Sequence, residues 1–201
     1  MRHIIHFIKS VTFSTAQLKV YSNLHTGRIH SISYNGHWGD WGENEWCGGN
    51  PNLGFAKSFS LRVEDYSDSL FADNTGLNAI CLICNDGKEI CSAQGDKGTW
   101  HEDIAHSSSG FKGFEIQFQD KQGAWDDTAV NNVGLHALDG QWKKLNLNMP
   151  GEWVAIHDCK PGYIICGLKT RVEASSWYNT DDTALNGVIF RCCEMADIHT
   201  P

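Results

Sequence analysis

Seven residues recur almost unchanged at three places: "DNTGLNA" at 73–79, "DDTAVNN" at 126–132 and "DDTALNG" at 181–187. The copies begin at Asp73, Asp126 and Asp181, 53 and 55 residues apart. A near-constant period of this length means that one supersecondary unit is built three times. Each copy follows a glycine-led aromatic stretch: "GFAKSFSLRVED" from Gly54, "GFKGFEIQFQD" from Gly110 and "GYIICGLKTRVE" from Gly162. Each of these in turn follows Gly-x-Trp, at Gly36, Gly98 and Gly151. The first two units close with an Asp-Gly turn, Asp86-Gly87 and Asp139-Gly140, and a further short strand.

Strict alternation marks the strands. Phe59, Leu61 and Val63 interleave with Ser60, Arg62 and Glu64, and Phe114, Ile116 and Phe118 interleave with Glu115, Gln117 and Gln119. A period of two means half-buried strands. Each unit therefore reads as about four short strands. Three such sheets must pack their apolar faces on one another around a pseudo-threefold axis, because a single small sheet cannot bury a core alone. The heptad is a loop-to-strand junction in this reading. Asp181 or Asp182 accepts backbone N–H groups at the turn, and Thr183 does so more weakly. Leu185, Val188 and Phe190 enter the core, and Asn186 sits at a bulge or in the left-handed region.

Composition narrows the partners. The chain has 201 residues, 41% hydrophobic and 20% charged, with a net charge of −8. Nucleic acid and anionic membranes favour a basic face, so neither is an expected partner. No apolar run is long enough for membrane insertion. There is no P-loop or dinucleotide-binding glycine motif in a strand-to-helix setting, and no cofactor is expected.

"NGHWGDWGENEWC" (35–47), "GFAKSFSLRVE" (54–64), "WDDTAVNNV" (125–133) and "CGLKTRVE…DDTALNGVIFRCC" (166–193) together resemble the vitelline membrane outer layer proteins. The resemblance covers roughly residues 28–194. It implies an all-β fold, a β-prism of three four-stranded Greek-key sheets, secretion, and residence in an extracellular coat. It also implies a link to binding or transferring N-acetylglucosamine oligosaccharides.

Eight cysteines fit an oxidising compartment. Eleven residues after each heptad's first Asp stand Cys84, Ala137 and Cys192. Eight residues after Gly98 and Gly151 stand His106 and Cys159, and the matching place in the first unit is Cys47. Units one and three have cysteine at both places and unit two at neither, which predicts Cys47–Cys84 and Cys159–Cys192. Cys81 and Cys91 flank the "NDG" turn symmetrically and suit a cross-strand bridge. Cys166–Cys193 follows by elimination. The competing use is zinc at "CLIC" (81–84) with Cys91 and His101, but zinc sites of this type come as two close pairs, and no metal is expected.

Residues 1–27 lie outside the repeats and read as an extension or degraded signal segment. The opening has a basic start and small residues before Gln17, but His6 and Lys9 interrupt its apolar stretch. Residues 28–196 read as one domain, with units of about 28–94, 95–146 and 147–194.

Sugar chemistry needs two carboxylates across a ring, about 5–10 Å apart. Asp126, Asp127, Asp181 and Asp182 are the catalytic candidates, with Asp73 as their counterpart. Neighbours on a strand point to opposite faces, so a pair would have to come from two units. Threefold repetition favours turn and cap roles instead. Trp125, Trp177 and Trp41 are the glycan-stacking candidates, since an indole face suits a sugar ring. Trp38, Trp100 and Trp153, the repeated Gly-x-Trp residues, read as core plugs. The resulting expectation is a secreted structural or barrier component of an extracellular coat or mucus-like layer, whose partners are other coat proteins and glycans. The alternatives are a carbohydrate-binding module for N-acetylglucosamine oligomers, and a weak transglycosylase or hydrolase on the same sugars.

Overall fold

The computed structural model describes residues 28–36, 38–67, 75–102, 104, 106–118, 130–174 and 184–198. Its strands follow the alternation. In order they are β1 (Ile29–Asn35), β2 (Asp40–Trp41), β3 (Glu45–Trp46), β4 (Ala56–Val63), β5 (Leu77–Cys84), β6 (Glu89–Cys91) and β7 (Thr99–His101). Then come β8 (Phe111–Phe118), β9 (Val130–Ala137), β10 (Trp142–Lys144), β11 (Glu152–Asp158), β12 (Tyr163–Val172) and β13 (Leu185–Glu194). Among the described residues the helical segments are two three-residue 3-10 turns, and no helix is long and apolar enough to cross a membrane.

Three antiparallel sheets result. Sheet B has the order β6-β5-β4-β7 and sheet C the order β10-β9-β8-β11. In both, three consecutive strands are joined by hairpins and the fourth returns beside the first, which is a Greek key. Sheet A has the order β1-β13-β12-β2, and β3 also pairs with β12. Its fourth position is thus one broken strand, which raises the count to five segments.

The sheets are offset by one strand from the units of about 28–94, 95–146 and 147–194. Gly-x-Trp does not open a unit. It begins the last strand of the preceding sheet: β7 pairs with β4, and β11 with β8. Sheet A is completed from both ends of the described chain, since β1, β2 and β3 pair with β12 and β13. Contiguous sequence suggested contiguous units, but an edge strand pairs wherever a free ladder remains, and here the N-terminal strands fill it.

The third Gly-x-Trp is also different from the one the spacing suggests. Trp100 lies opposite Arg62, Trp153 opposite Gln117 and Trp41 opposite Arg171. Gly39-Asp40-Trp41 is therefore the equivalent, not Gly36-His37-Trp38. Gly39, Gly98 and Gly151 all have positive φ, at 78°, 84° and 98°. A Cβ on Gly39 or Gly98 would lie 2.3 Å from the backbone of Val172 or Val63, so only glycine fits there.

Phe59, Phe111, Phe114 and Phe190 are fully buried and come from all three sheets. Phe59 meets Phe111 edge-on at 5.8 Å, and Phe114 meets Phe190 at 5.0 Å. The heptad strands β5, β9 and β13 touch one another pairwise around this core. Leu185, Val188 and Phe190 lie in it. Asn186 is the extra residue of a bulge: Arg171 pairs with Gly187 and Val172 with Leu185. Asn78 and Asn131 are bulged in the same register. The left-handed position lies two residues earlier, at Ala184 (φ 44°) and its counterpart Gly76 (φ 63°). The first and third copies of the heptad thus carry a left-handed step, and all three supply a core residue followed by a buried, bulged asparagine.

Four bridges close the structure: Cys47–Cys84, Cys81–Cys91, Cys159–Cys192 and Cys166–Cys193. The first joins the end of β3 in sheet A to β5 in sheet B. The third joins the segment after β11 in sheet C to β13 in sheet A. Cys81–Cys91 links directly paired residues of β5 and β6. Both sulfurs of "CLIC" are consumed, so neither is a thiolate for a metal.

The third corner, from sheet B to sheet C, has Ala137 on one side. On the other side is Ser107 rather than His106. The amide of Ser107 donates to Lys57 O at 2.7 Å as that of Cys159 donates to Lys112 O at 2.6 Å, and Lys57 and Lys112 are equivalent bulge residues. The segment after β7 carries one extra residue, which equal counting missed. Ser107 and Ala137 are both buried.

Candidate functional site

Asp73, Asp126, Asp127, Asp181, Asp182, Trp125 and Trp177 lie outside the described residues. What the structure does describe is how the chain enters and leaves the three heptad segments. At the first, Thr75 Oγ1 donates to Glu64 Oε2 at 2.6 Å, and the Thr75 amide donates to the same oxygen at 3.1 Å. The Glu64 amide donates to Gly76 O at 2.9 Å. At the third, the Glu173 amide donates to Ala184 O at 2.7 Å. Both loops are therefore cinched at their bases by the strand pair that carries them.

Beside each base stands a side chain that sequence reasoning missed. Arg62 donates from Nε to Gly98 O at 3.2 Å and from Nη1 to Gly95 O at 3.1 Å, and it also reaches Asp96 O. Arg171 donates to Gly39 O at 2.8 Å and Gly36 O at 2.9 Å. Gln117 donates to Gly151 O at 3.1 Å and Met149 O at 2.9 Å. These three equivalent clamps hold the glycine turn that aims each Gly-x-Trp strand. Their signal was present in "LRVE", "IQFQ" and "TRVE", where a long donor precedes the last core residue of the strand.

The bulged asparagines secure the same turns. Asn78 Nδ2 donates to Thr75 Oγ1 at 2.7 Å and to Gly76 O at 3.1 Å, and its Oδ1 accepts from the Lys97 amide at 3.3 Å. Asn131 Nδ2 donates to Pro150 O at 2.8 Å. Buried amides held in this way order the backbone around the loops.

The Gly-x-Trp indoles are not core plugs. Trp100 is 37% exposed, Trp153 and Trp41 are half-buried, and Trp38 is 51% exposed. The interior is already filled by phenylalanine and aliphatic side chains, so the indoles lie on the outer faces. Trp41 covers Gly187, where a Cβ would sit 3.2 Å from its ring. The Lys169 ammonium stands 5.9 Å from its ring centroid. Trp46 covers Gly167 in the same way.

Sheet C carries a polar network on its outer face. Lys144 Nζ meets Glu115 Oε1 at 2.8 Å and stands 4.2 Å above the Trp153 ring. His136 Nδ1 lies 3.0 Å from Asp158 Oδ1, and its ring stacks on Trp142 at 4.4 Å. On sheet A, His30 accepts the Lys160 amide at Nε2 and meets Tyr163 edge-on at 4.6 Å. Burial, and then the nearby Lys160 charge, lower the His30 pKa.

The comparisons with known proteins agree on the family. A family model described as vitelline membrane outer layer protein I matches residues 28–195. The vitelline membrane outer layer protein 1 homolog of Mus musculus is 31% identical over 191 residues, covering 90% of each chain. That of Homo sapiens is 35% identical over 177 residues, covering 82% of each chain. Among solved structures, frutapin, a lectin from Artocarpus incisa, superposes with a TM-score of 0.53 at 8% identity, covering 84% of this chain and 99% of its own. A prostate-specific WGA16 glycoprotein lectin superposes with a TM-score of 0.51 at 13% identity, covering 81% and 97%. At such identities these two show a shared three-sheet fold and nothing further. The chain belongs to the vitelline membrane outer layer protein I family.

Proposed function

We propose that this protein is a secreted structural component of an extracellular coat or mucus-like layer, which associates with other coat proteins and with glycans. One observation carries the reading: all eight cysteines are bridged, and two of the bridges tie neighbouring sheets together. Such a body suits an oxidising, unbuffered exterior, where a marginal domain would be lost. The name shared by its relatives points to the same place. Expression from the full coding sequence in secreting animal cells tests it. The reading requires the oxidised protein in the medium, entering a glycan- or protein-containing matrix. Retention in the cytosol with reduced cysteines would refute it.

A second reading is a carbohydrate-binding module for N-acetylglucosamine oligomers. The half-exposed indole of Trp41, backed by Gly187 and topped by Lys169, favours it. Trp125 and Trp177 are its other candidates. The reading calls for saturable binding of these oligomers that is lost in Trp41→Ala, Trp125→Ala or Trp177→Ala. Glycosyl transfer or hydrolysis on these sugars, through Asp126, Asp127, Asp181 or Asp182, is a further possibility that product analysis decides.

A further inference from the structure

Sheet B breaks the threefold repeat on its outer face. In sheet C the outward Glu115 is taken by Lys144, and His136 by Asp158. In sheet A the outward Arg191 donates to Ser31 Oγ at 2.6 Å and to Asn44 Oδ1, while Trp46 fills the space over Gly167. The register gives the counterparts in sheet B: Ser60 replaces Glu115, and Ile83 replaces His136 and Arg191. Ser58 stands where Gly113 and Gly167 are overlaid by larger groups.

The result is a cavity of about 460 Å³ over β4 and β5. That lies within the range of about 300–1,000 Å³ typical of small-ligand sites. Ser58, Ser60 and Ile83 form its floor, and Lys57 stands beside them. Glu89 on β6 and Glu102 just after β7 come from the two edge strands of the sheet, and both line the cavity together with His106. Among the described residues, Lys57, Glu89, Glu102 and His106 make no ion pair and no side-chain hydrogen bond. On the outer faces of the other two sheets the polar groups are paired instead, Glu115 with Lys144, His136 with Asp158, and Arg191 with Ser31 and Asn44. The fold therefore does not require these four groups to be where they are.

We propose that this recess binds an amino sugar with a free amine, a hydroxylated ring that carries a primary ammonium. The two carboxylates, carried by opposite edges of the sheet, accept charge-assisted hydrogen bonds from the ammonium and from ring hydroxyls. Lys57 donates to a hydroxyl or ring oxygen between them. The two carboxylates of Glu89 and Glu102 outnumber the one ammonium of Lys57 on the lining, which selects for a cation. An acetylated amine or a neutral sugar leaves one carboxylate without a counter-charge. The ligand atoms of Glu89, Glu102 and His106 do not lie within 4.8 Å of one another, so as placed the three do not converge on one metal ion. The recess uses none of Trp41, Trp125 or Trp177, so it is independent of the glycan reading given above.

The test is a backbone-amide NMR titration of the oxidised full chain. Glucosamine, N-acetylglucosamine, glucose and methylammonium are each added at matched ionic strength and pH. Saturable shifts at Lys57, Glu89 and Glu102 with glucosamine are expected, with affinity about tenfold above each of the other three. Glu89→Gln and Glu102→Gln, both at exposed positions, should each weaken glucosamine about tenfold while leaving the rest of the spectrum in place. Equal affinity for glucose or N-acetylglucosamine overturns the proposal. So does equal affinity for methylammonium, which would mean a cation site only, or the absence of saturable shifts in the recess.

Discussion

Arg171 donates from Nε to the carbonyl of Gly39 at 2.8 Å, across 132 residues of chain. The bond ties the turn that leads into β2 to the last long hairpin, where β2 completes sheet A. Arg171→Ala removes this bond and the one to Gly36, leaving two carbonyls without their charged donor. A loss of about 2–3 kcal/mol is expected, read from the denaturant midpoint. Arg171→Lys should recover less than half of it, because a lysine cannot present the forked donor geometry. Gln117→Ala, which removes neutral bonds only, should cost about 1 kcal/mol.

Asn78 lies in a bulge and donates to both Thr75 and Gly76. It is buried, so its removal takes a donor from the Thr75 hydroxyl and leaves Gly76 O with only its bond from the Glu64 amide. Asn78→Ala should destabilise the protein by about 1–3 kcal/mol in equilibrium unfolding. Amide hydrogen exchange should quicken first at Lys97, whose N–H bonds the Asn78 side chain.

The corner without a bridge can be given one. Ser107 and Ala137 occupy the places of Cys159 and Cys192 and are buried. The double variant Ser107→Cys, Ala137→Cys should oxidise without reshuffling the other four bridges. Closing a loop of this length adds up to about 4 kcal/mol in the chain-entropy model. Peptide mapping under non-reducing conditions reads the pairing, and thermal unfolding reads the gain. His106→Cys with Ala137→Cys, the pairing that equal spacing would suggest, should bridge poorly.

His30 sets an acid limit. Its folded pKa is lowered by burial and by Lys160, so the unfolded chain takes up the proton more readily. The stability associated with neutral His30 is fully present above its unfolded value of about 6.5, and it is lost as pH falls from there through the folded pKa. Stability measured from pH 8 down to pH 5 should fall, and His30→Gln should flatten part of that slope.

Much of this fold was legible because its determinants are local. Alternation in "KSFSLRV" places Phe59, Leu61 and Val63 in the core, and it does so whatever sheet β4 joins. The heptad could be read as a loop-to-strand junction because left-handed steps and bulges have residue preferences. Long-range choices were less legible. Nothing in the residues near Trp38 and Trp41 says which one faces Arg171, since both complete a Gly-x-Trp. That is settled by a positive φ at Gly39 and by pairing with a strand more than 100 residues away. A single extra residue after β7 likewise moved the bridge-equivalent position from His106 to Ser107. The recess on sheet B was invisible in sequence because it is made by what that sheet lacks and the other two have: groups such as Trp46 or Asp158 lying over the floor. The aspartates and tryptophans singled out in the heptad loops, Asp126, Asp127, Asp181, Asp182, Trp125 and Trp177, fall outside the described residues.

The most direct measurement of the coat-component reading is incubation of the oxidised protein with the N-acetylglucosamine hexamer, followed by mass spectrometry of the sugars. The expected result is the hexamer recovered unchanged, whether or not it binds. Longer or shorter oligomers that require the folded, oxidised protein would contradict a structural role and make glycosyl transfer the function of this chain.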